Sequence, residues 1–196
     1  MGAIEQGFGQ SSIGRTSARL GQTFCGKNTV AELKLSAPVP LLAAHDVSLL
    51  ACGEGSLDDW LRQRALKNEV SGATRTYVVC SGSEVVGYYS LAVGSIEHQF
   101  APGNIKRNMP QPIPVMTLAR LAVDRRYAGK NLGTGMIRDA LLRTLQAANI
   151  AGIRALLVHA LNERAAAFYR ERGFVASPFD PLVLFLALSS LEKFSP

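Results

Sequence analysis

The order of elements in this chain predicts an α/β protein with a mixed sheet flanked by helices. Three observations carry that expectation. A hairpin pattern near residues 76–93 requires antiparallel strands. A strand–loop–helix–strand succession over residues 115–159 requires a parallel crossover. No internal repeat points to a solenoid or propeller instead.

The elements follow in order. Met1 to about Asn28 is rich in Gly, Ser and Gln with no sustained period, and reads as a disordered tail (1–28) ahead of a single domain (29–196). Val30 to Leu35 alternates and reads as a first strand. Ser56, with Asp59 three residues on, has the spacing of a helix capping box, and Leu57, Trp60, Leu61 and Ala65 then share one helical face. On that face Trp60 is a core residue. Thr76–Cys80 and Val85–Val93 are strands joined by a Ser81-Gly82-Ser83 turn. His98–Pro114 carries four prolines and reads as loop, and Val115–Val123 is an apolar strand interrupted by Arg120. Gly133–Ala148 is a helix whose buried stripe is Met136, Ala140, Leu141, Thr144, Leu145 and Ala148, with Arg138, Asp139, Arg143 and Gln146 off it. Ala155–His159 is a short buried strand. Asn162 caps a helix that runs to about Arg172 and ends at Gly173, and Leu182–Leu188 closes the sheet.

Composition narrows the function classes. No apolar run reaches the roughly 18 residues that span a bilayer. Cys25, Cys52 and Cys80 are too scattered for a disulfide framework, and neither they nor His45, His98 and His159 have metal-ligand spacing. This is the usage of a reduced, cytoplasmic protein with no metal site. A net charge of +6 suits a polyanionic partner or a phosphate-bearing cofactor, but also fits a merely soluble basic surface.

Chemistry concentrates in Leu118–Ile137, LARLAVDRRYAGKNLGTGMI. A strand runs into a basic, Gly-containing loop and directly into a helix, so backbone N–H groups converge at the positive end of the helix dipole. That arrangement receives a phosphate, although the glycines alone also fit an ordinary turn. A second segment, LLVHALNERAAAFYRERGF, places Asn162 at a helix start and Tyr169 near its end.

Together these two segments resemble the GNAT superfamily of N-acetyltransferases. TYVVC…VVGYYSLA, RNMPQPIPVM, RLAVD, GIRALLVHAL and FYRERGFVASPFDPLVL resemble, more finely, its toxin subgroup from toxin–antitoxin pairs. The resemblance implies the GNAT (acyl-CoA N-acyltransferase) fold and acetyl-CoA as acetyl donor. It implies aminoacyl-tRNA as acceptor, blocked translation, a ribbon-helix-helix antitoxin as partner and a homodimer. Carried over, backbone contacts to pantetheine fall on Leu121, Ala122 and Val123, and the pyrophosphate grip on Ala128, Gly129, Lys130, Asn131, Leu132, Gly133 and Thr134. Asn162 contacts the pantetheine arm, and Tyr169 is the general acid. Lys106, Arg107, Arg120, Arg125 and Arg126 are the basic candidates for RNA, with Arg125, Arg126 and Lys130 open to serving the cofactor instead and Arg138 and Arg143 to being a solvated helix face. Glu97 is a weak candidate base, and His159 reads as structural.

Two departures stand out. In the loop pattern Q/R-x-x-G-x-G/A, Ala128 replaces Gln or Arg and Asn131 replaces Gly; Ala119 stands where relatives have Gly. Asn131 tolerates left-handed backbone geometry, so the turn is compatible with it, but its side chain also has the bulk to crowd a pyrophosphate. Two other readings therefore stand beside the toxin: a GNAT enzyme acting on a small amine or protein N-terminus, and a binding protein with an impaired cofactor loop.

Overall fold

The computed structural model describes residues 35–190. The expected tail and most of the expected strand Val30–Leu35 lie outside these residues; Leu35 itself forms an isolated bridge with Ser81. Seven strands form one sheet: β1 (Val39–Pro40), β2 (Arg75–Ser81), β3 (Glu84–Ile96), β4 (Ile113–Val123), β5 (Ala155–His159), β6 (Val175–Ala176) and β7 (Val183–Ala187). Their spatial order is β1-β2-β3-β4-β5-β7-β6, and only β4 and β5 are parallel. The α/β mixed-sheet expectation holds. β4 starts two residues earlier than its sequence implied, taking in Ile113 and Pro114.

Alternating side chains divide the core between the two faces. On one face, α4 (Leu132–Ala148) and α5 (Glu163–Arg170) pack Met136, Ile137, Ala140, Ala166 and Tyr169 against Val79, Val86, Tyr89, Leu118, Leu156 and Val158. On the other, α1 (Gly55–Trp60) continues through a π turn at Leu61–Ala65 into α2 (Leu66–Ser71), and buries Leu57, Trp60, Leu61 and Ala65 against Val78, Cys80 and Tyr88. Trp60 is thus a core residue, stacked on Tyr88 at 5.8 Å. A four-residue α3 (Gly103–Lys106) forms within the expected 98–114 loop and is held by Arg154, which donates to the Ile105 and Asn104 carbonyls.

Three local expectations are corrected. The helix at Ser56 is capped at Glu54, not Ser56, and has no side-chain cap bond. Instead Asp58, one residue before the expected Asp59, reaches back and accepts from the Cys52 N–H at 3.0 Å, which fixes the chain before the helix. In α4, Ile137 joins the buried stripe, while Leu141, Leu145 and Ala148 are only half-buried. Arg143 and Asp139, placed off that stripe, are not a solvated face. The Tyr89 hydroxyl donates to Asp139, Arg143 Nε donates to both Asp139 Oδ2 (2.8 Å) and the Tyr89 oxygen (3.0 Å), and the guanidinium lies 3.9 Å from the Tyr77 ring centroid. The stripe rule reads only apolar positions, and it missed a tyrosine presenting its hydroxyl to the helix. Arg138 is exposed.

This cluster ties α4 to β2 and β3. Arg143→Ala should cost about 2 kcal/mol of stability, because it leaves the half-buried Asp139 carboxylate without its cation and uncovers Tyr77. Chemical denaturation of both proteins checks it.

Candidate functional site

The site begins with a divergence inside the sheet. β4 and β5 pair only at Met116–Leu118 with Leu156–Val158. Directly after Leu118 the pairing of β4 with β3 slips, because Ser90 faces Arg120 whereas Leu91 faces Leu118, so Ala119 is the extra residue of a β-bulge. A bulge bends its strand. Beyond it β4 follows β3, while His159 of β5 follows β7. A gap opens between them. Asp124 N–H bonds to the Val86 carbonyl at 2.9 Å, and antiparallel alternation then turns the backbone groups of Ala122 toward β3 and those of Leu121 and Val123 toward the gap. Of the three strand residues expected to offer backbone contacts, two therefore face the opening and Ala122 does not.

A cavity of about 540 Å³ lies along this gap. Leu121–Val123, Ala128, Gly129, Asn131–Thr134, Asn162, Tyr169 and Arg172 contribute to its wall. Asn131 is in left-handed geometry (φ 60°) as the residue before α4, and Gly129 also has positive φ (76°). The turn into the helix thus forms with asparagine in place of glycine. Leu132, Gly133 and Thr134 begin a 17-residue helix, so their N–H groups have no partner within it and point into the cavity's end with the positive helix dipole. A Cβ at Gly133 would come within 3.1 Å of Phe168, so a small residue is needed where α4 and α5 meet. These donors, with a cation on the wall, suit a pyrophosphate. Asn162 caps α5 as expected, accepting from Ala165 N–H at 2.9 Å.

A second cavity of about 320 Å³ adjoins the first, sharing Leu57, Leu121, Leu161, Ala165 and Tyr169. Arg120 and His159 also line it. Arg120 stacks over Trp60 (5.1 Å) and donates to its neighbour's carbonyl, Ala119 O, at 2.8 Å. His159, read from sequence as structural, is exposed on this wall. Tyr169 is buried between Phe168 and Phe174, with ring centroids 5.4 Å away on each side. Its hydroxyl bonds to none of the described residues, and burial pushes its pKa up.

The basic candidates separate in space. Lys106 and Arg107 are exposed at the end of α3, beside the start of β4 and away from both cavities, and Glu97 is at that same end, accepting from Gln99. Arg126 is taken up by carboxylates, bonding to Glu84 and to Asp124 (2.8 Å). Lys130 sits 5.0 Å over the Tyr127 ring, and Arg125 packs under Gly53. Arg172, which no sequence signal picked out, lines the first cavity instead. It follows the helix in an ordinary surface position, and only the helix–helix contact reveals it.

This fold and cleft define an acetyltransferase, and the chain belongs to the Acetyltransferase (GNAT) family, whose pattern it matches over residues 45–174. Among its relatives is the "tRNA-acetylating toxin" of Mycobacterium tuberculosis, 52% identical over 153 residues that cover 78% of this chain and 92% of the relative. It also resembles AtaT complexed with acetyl-methionyl-tRNAfMet, with a TM-score of 0.77 and 29% identity, over 82% of this chain and 99% of that one. A tyrosine-to-phenylalanine mutant of the AtaT toxin, bound to the C-terminus of the antitoxin AtaR and acetyl-CoA, matches with a TM-score of 0.70 and 29% identity over 82% of this chain and 97% of that one. Among the described residues no helix is long and apolar enough to cross a membrane.

Asp124 fixes the loop that leads into the site. It is 1% exposed, and accepts from the Arg126 side chain and from the Arg126 and Ala51 N–H groups. The Arg126 guanidinium, helped by those two N–H groups, holds its pKa at about 2, below the ordinary 3.8. A lowered folded-state pKa stabilises the fold above the ordinary value, and that contribution is lost as pH falls through the folded one. The stability gap between wild type and Asp124→Asn should therefore be full above about pH 4 and shrink toward about pH 2, as denaturant titrations over that range would read.

Proposed function

We propose that this protein transfers an acetyl group from acetyl-CoA to the α-amino group of aminoacyl-tRNA, and so blocks translation as the toxin of a toxin–antitoxin pair. The observation that carries this reading is the second cavity. Among the described residues its wall is largely apolar, with Ser56, Arg120 and His159 and no carboxylate. A small polycationic amine calls for acidic partners, whereas a guanidinium beside an apolar pocket suits an uncharged aminoacyl ester on a phosphodiester chain. The 52% identity to a tRNA-acetylating toxin supports the same acceptor. The reading extends to a ribbon-helix-helix antitoxin, a homodimer and action in the cytoplasm, where charged tRNA is found. An antitoxin complex is known for AtaT.

Acetyl-CoA supplies the activated thioester. The backbone of Leu121 and Val123 holds the pantetheine arm across the gap, Asn162 meets it from α5, and the N–H groups of Leu132–Thr134 take the pyrophosphate, with the Asn131 amide beside them. A free α-amino group has a pKa of about 7.7 to 8.0, lowered further by an ester, so the attacking amine is neutral without a strong protein base. Its nitrogen bonds to the carbonyl carbon, and a backbone N–H of β4 stabilises the oxygen that becomes negative. As the carbon–sulfur bond breaks, Tyr169 donates its proton to the departing sulfur, and the proton shed by nitrogen returns through water. A phenol of ordinary pKa about 10 is already protonated at neutral pH, and burial of Tyr169 pushes in the same direction.

Incubation with radiolabelled acetyl-CoA should acetylate charged tRNA and leave deacylated tRNA, spermidine and peptide N-termini unlabelled. Label on the amine or peptide with none on tRNA would contradict the acceptor assignment. Tyr169→Phe should lower the single-turnover rate about a hundredfold with little change in acetyl-CoA affinity, and an unchanged rate would reduce Tyr169 to a packing role.

A further inference from the structure

Two arginines line the first cavity, Arg164 and Arg172. Arg164 is exposed, with no side-chain partner among the described residues, and Arg172 is the one held in place. Nε donates to Thr134 Oγ1 at 3.0 Å, and Nη1 donates to the Phe168 carbonyl and, at 3.3 Å, to Glu171 Oε2. The guanidinium carbon lies 3.6 Å from the Phe168 ring centroid. These contacts use Nε and Nη1. Nη2 has no partner among the described residues, and the side chain, 22% exposed, lines the cavity. Thr134 is the third residue of α4, so its hydroxyl brings the guanidinium beside the free N–H groups of that helix's first turn. Glu171 is 74% exposed, and its carboxylate is screened by solvent.

The loop supplies no equivalent cation. Ala128 occupies the position that carries Gln or Arg in the family pattern, Arg125 lies against Gly53 and off the cavity wall, Arg126 is engaged by two carboxylates, and Lys130 is turned onto Tyr127. From these placements we infer that Arg172 is the cation that grips the coenzyme A pyrophosphate in this chain, with Nη2 donating to a phosphate oxygen opposite the N–H groups of Leu132–Thr134. A planar fork already pinned at two nitrogens loses little freedom when the third engages. The inference rests on the acetyl-CoA reading above. It assigns to the end of α5 a charge that the loop has given up.

Calorimetric titration tests it, comparing wild type, Arg172→Gln and Arg172→Lys with three ligands: acetyl-CoA, acetyl-3′-dephospho-CoA and, by NMR titration for weak binding, S-acetylpantetheine. Arg172→Gln should weaken acetyl-CoA binding about tenfold to a hundredfold and flatten its salt dependence. The same ratio should hold for acetyl-3′-dephospho-CoA, and S-acetylpantetheine, which has no phosphate, should bind equally well to both proteins. Arg172→Lys should recover part of the loss, and its stem still covers Phe168, so it carries the comparison if the Gln variant does not fold. Equal weakening of S-acetylpantetheine would make Arg172 structural. A loss that disappears with acetyl-3′-dephospho-CoA would move its contact to the 3′-phosphate, and unchanged acetyl-CoA binding would remove the role; each overturns the inference alone. A wild-type protein that binds no acetyl-CoA would overturn the acetyl-transfer reading along with it.

Discussion

The parting of β4 and β5 is the constraint on which the rest of this molecule depends. Parallel strands normally keep their ladder, since an unpaired backbone group away from water is costly. Here the ladder stops after Leu118 and Val158, at the point where Ala119 inserts an extra residue into β4. The released backbone groups of Leu121 and Val123 need partners, and an amide-bearing chain such as pantetheine has the groups to match them. The same opening lets Tyr169 reach from α5 to the wall shared by the two cavities. Donor and acceptor sides thus meet at one phenol because one strand bends.

Charge is distributed less simply than the sequence implies. The basic run beside the loop is mostly spent on structure: Arg126 bridges Glu84 and Asp124, and Lys130 covers Tyr127. What the cavity wall offers an anion is the free N–H groups at the start of α4 and an arginine from another helix. Such a site keeps its geometry even with Asn131 in the turn, because asparagine sits there in the left-handed conformation that glycine would otherwise provide. The positive side chain of Arg120, stacked on Trp60, lies instead on the acceptor side.

Much of this was legible in the sequence because it is local. The hairpin, the crossover and the Asn162 cap each depend on residues close together in the chain, and each is where the pattern placed it; α5 instead ends at Arg170, short of the expected Arg172, and Gly173 takes its positive φ in the turn that follows. The bulge was not legible, since it is a mismatch between two strands; the only trace was Ala119 itself. The Tyr89–Asp139–Arg143 cluster was hidden for the same reason, since helix periodicity treats polar positions as solvated. Arg172 has no local mark at all. Its placement follows from Phe168 and Thr134 being brought together by the packing of α4 on α5. Family resemblance pointed to a loop whose residues do line the first cavity, but could not say which cation turns toward it.

We place the acetyl donor along the opened edge of β4. Residue-resolved amide exchange by NMR, with and without acetyl-CoA, tests it most directly. The Ala122 amide, engaged with β3, should be protected in both states, and the Leu121 and Val123 amides should gain protection only when acetyl-CoA is present. Leu121 and Val123 amides that exchange equally fast in both states, with protection gained elsewhere, would contradict it.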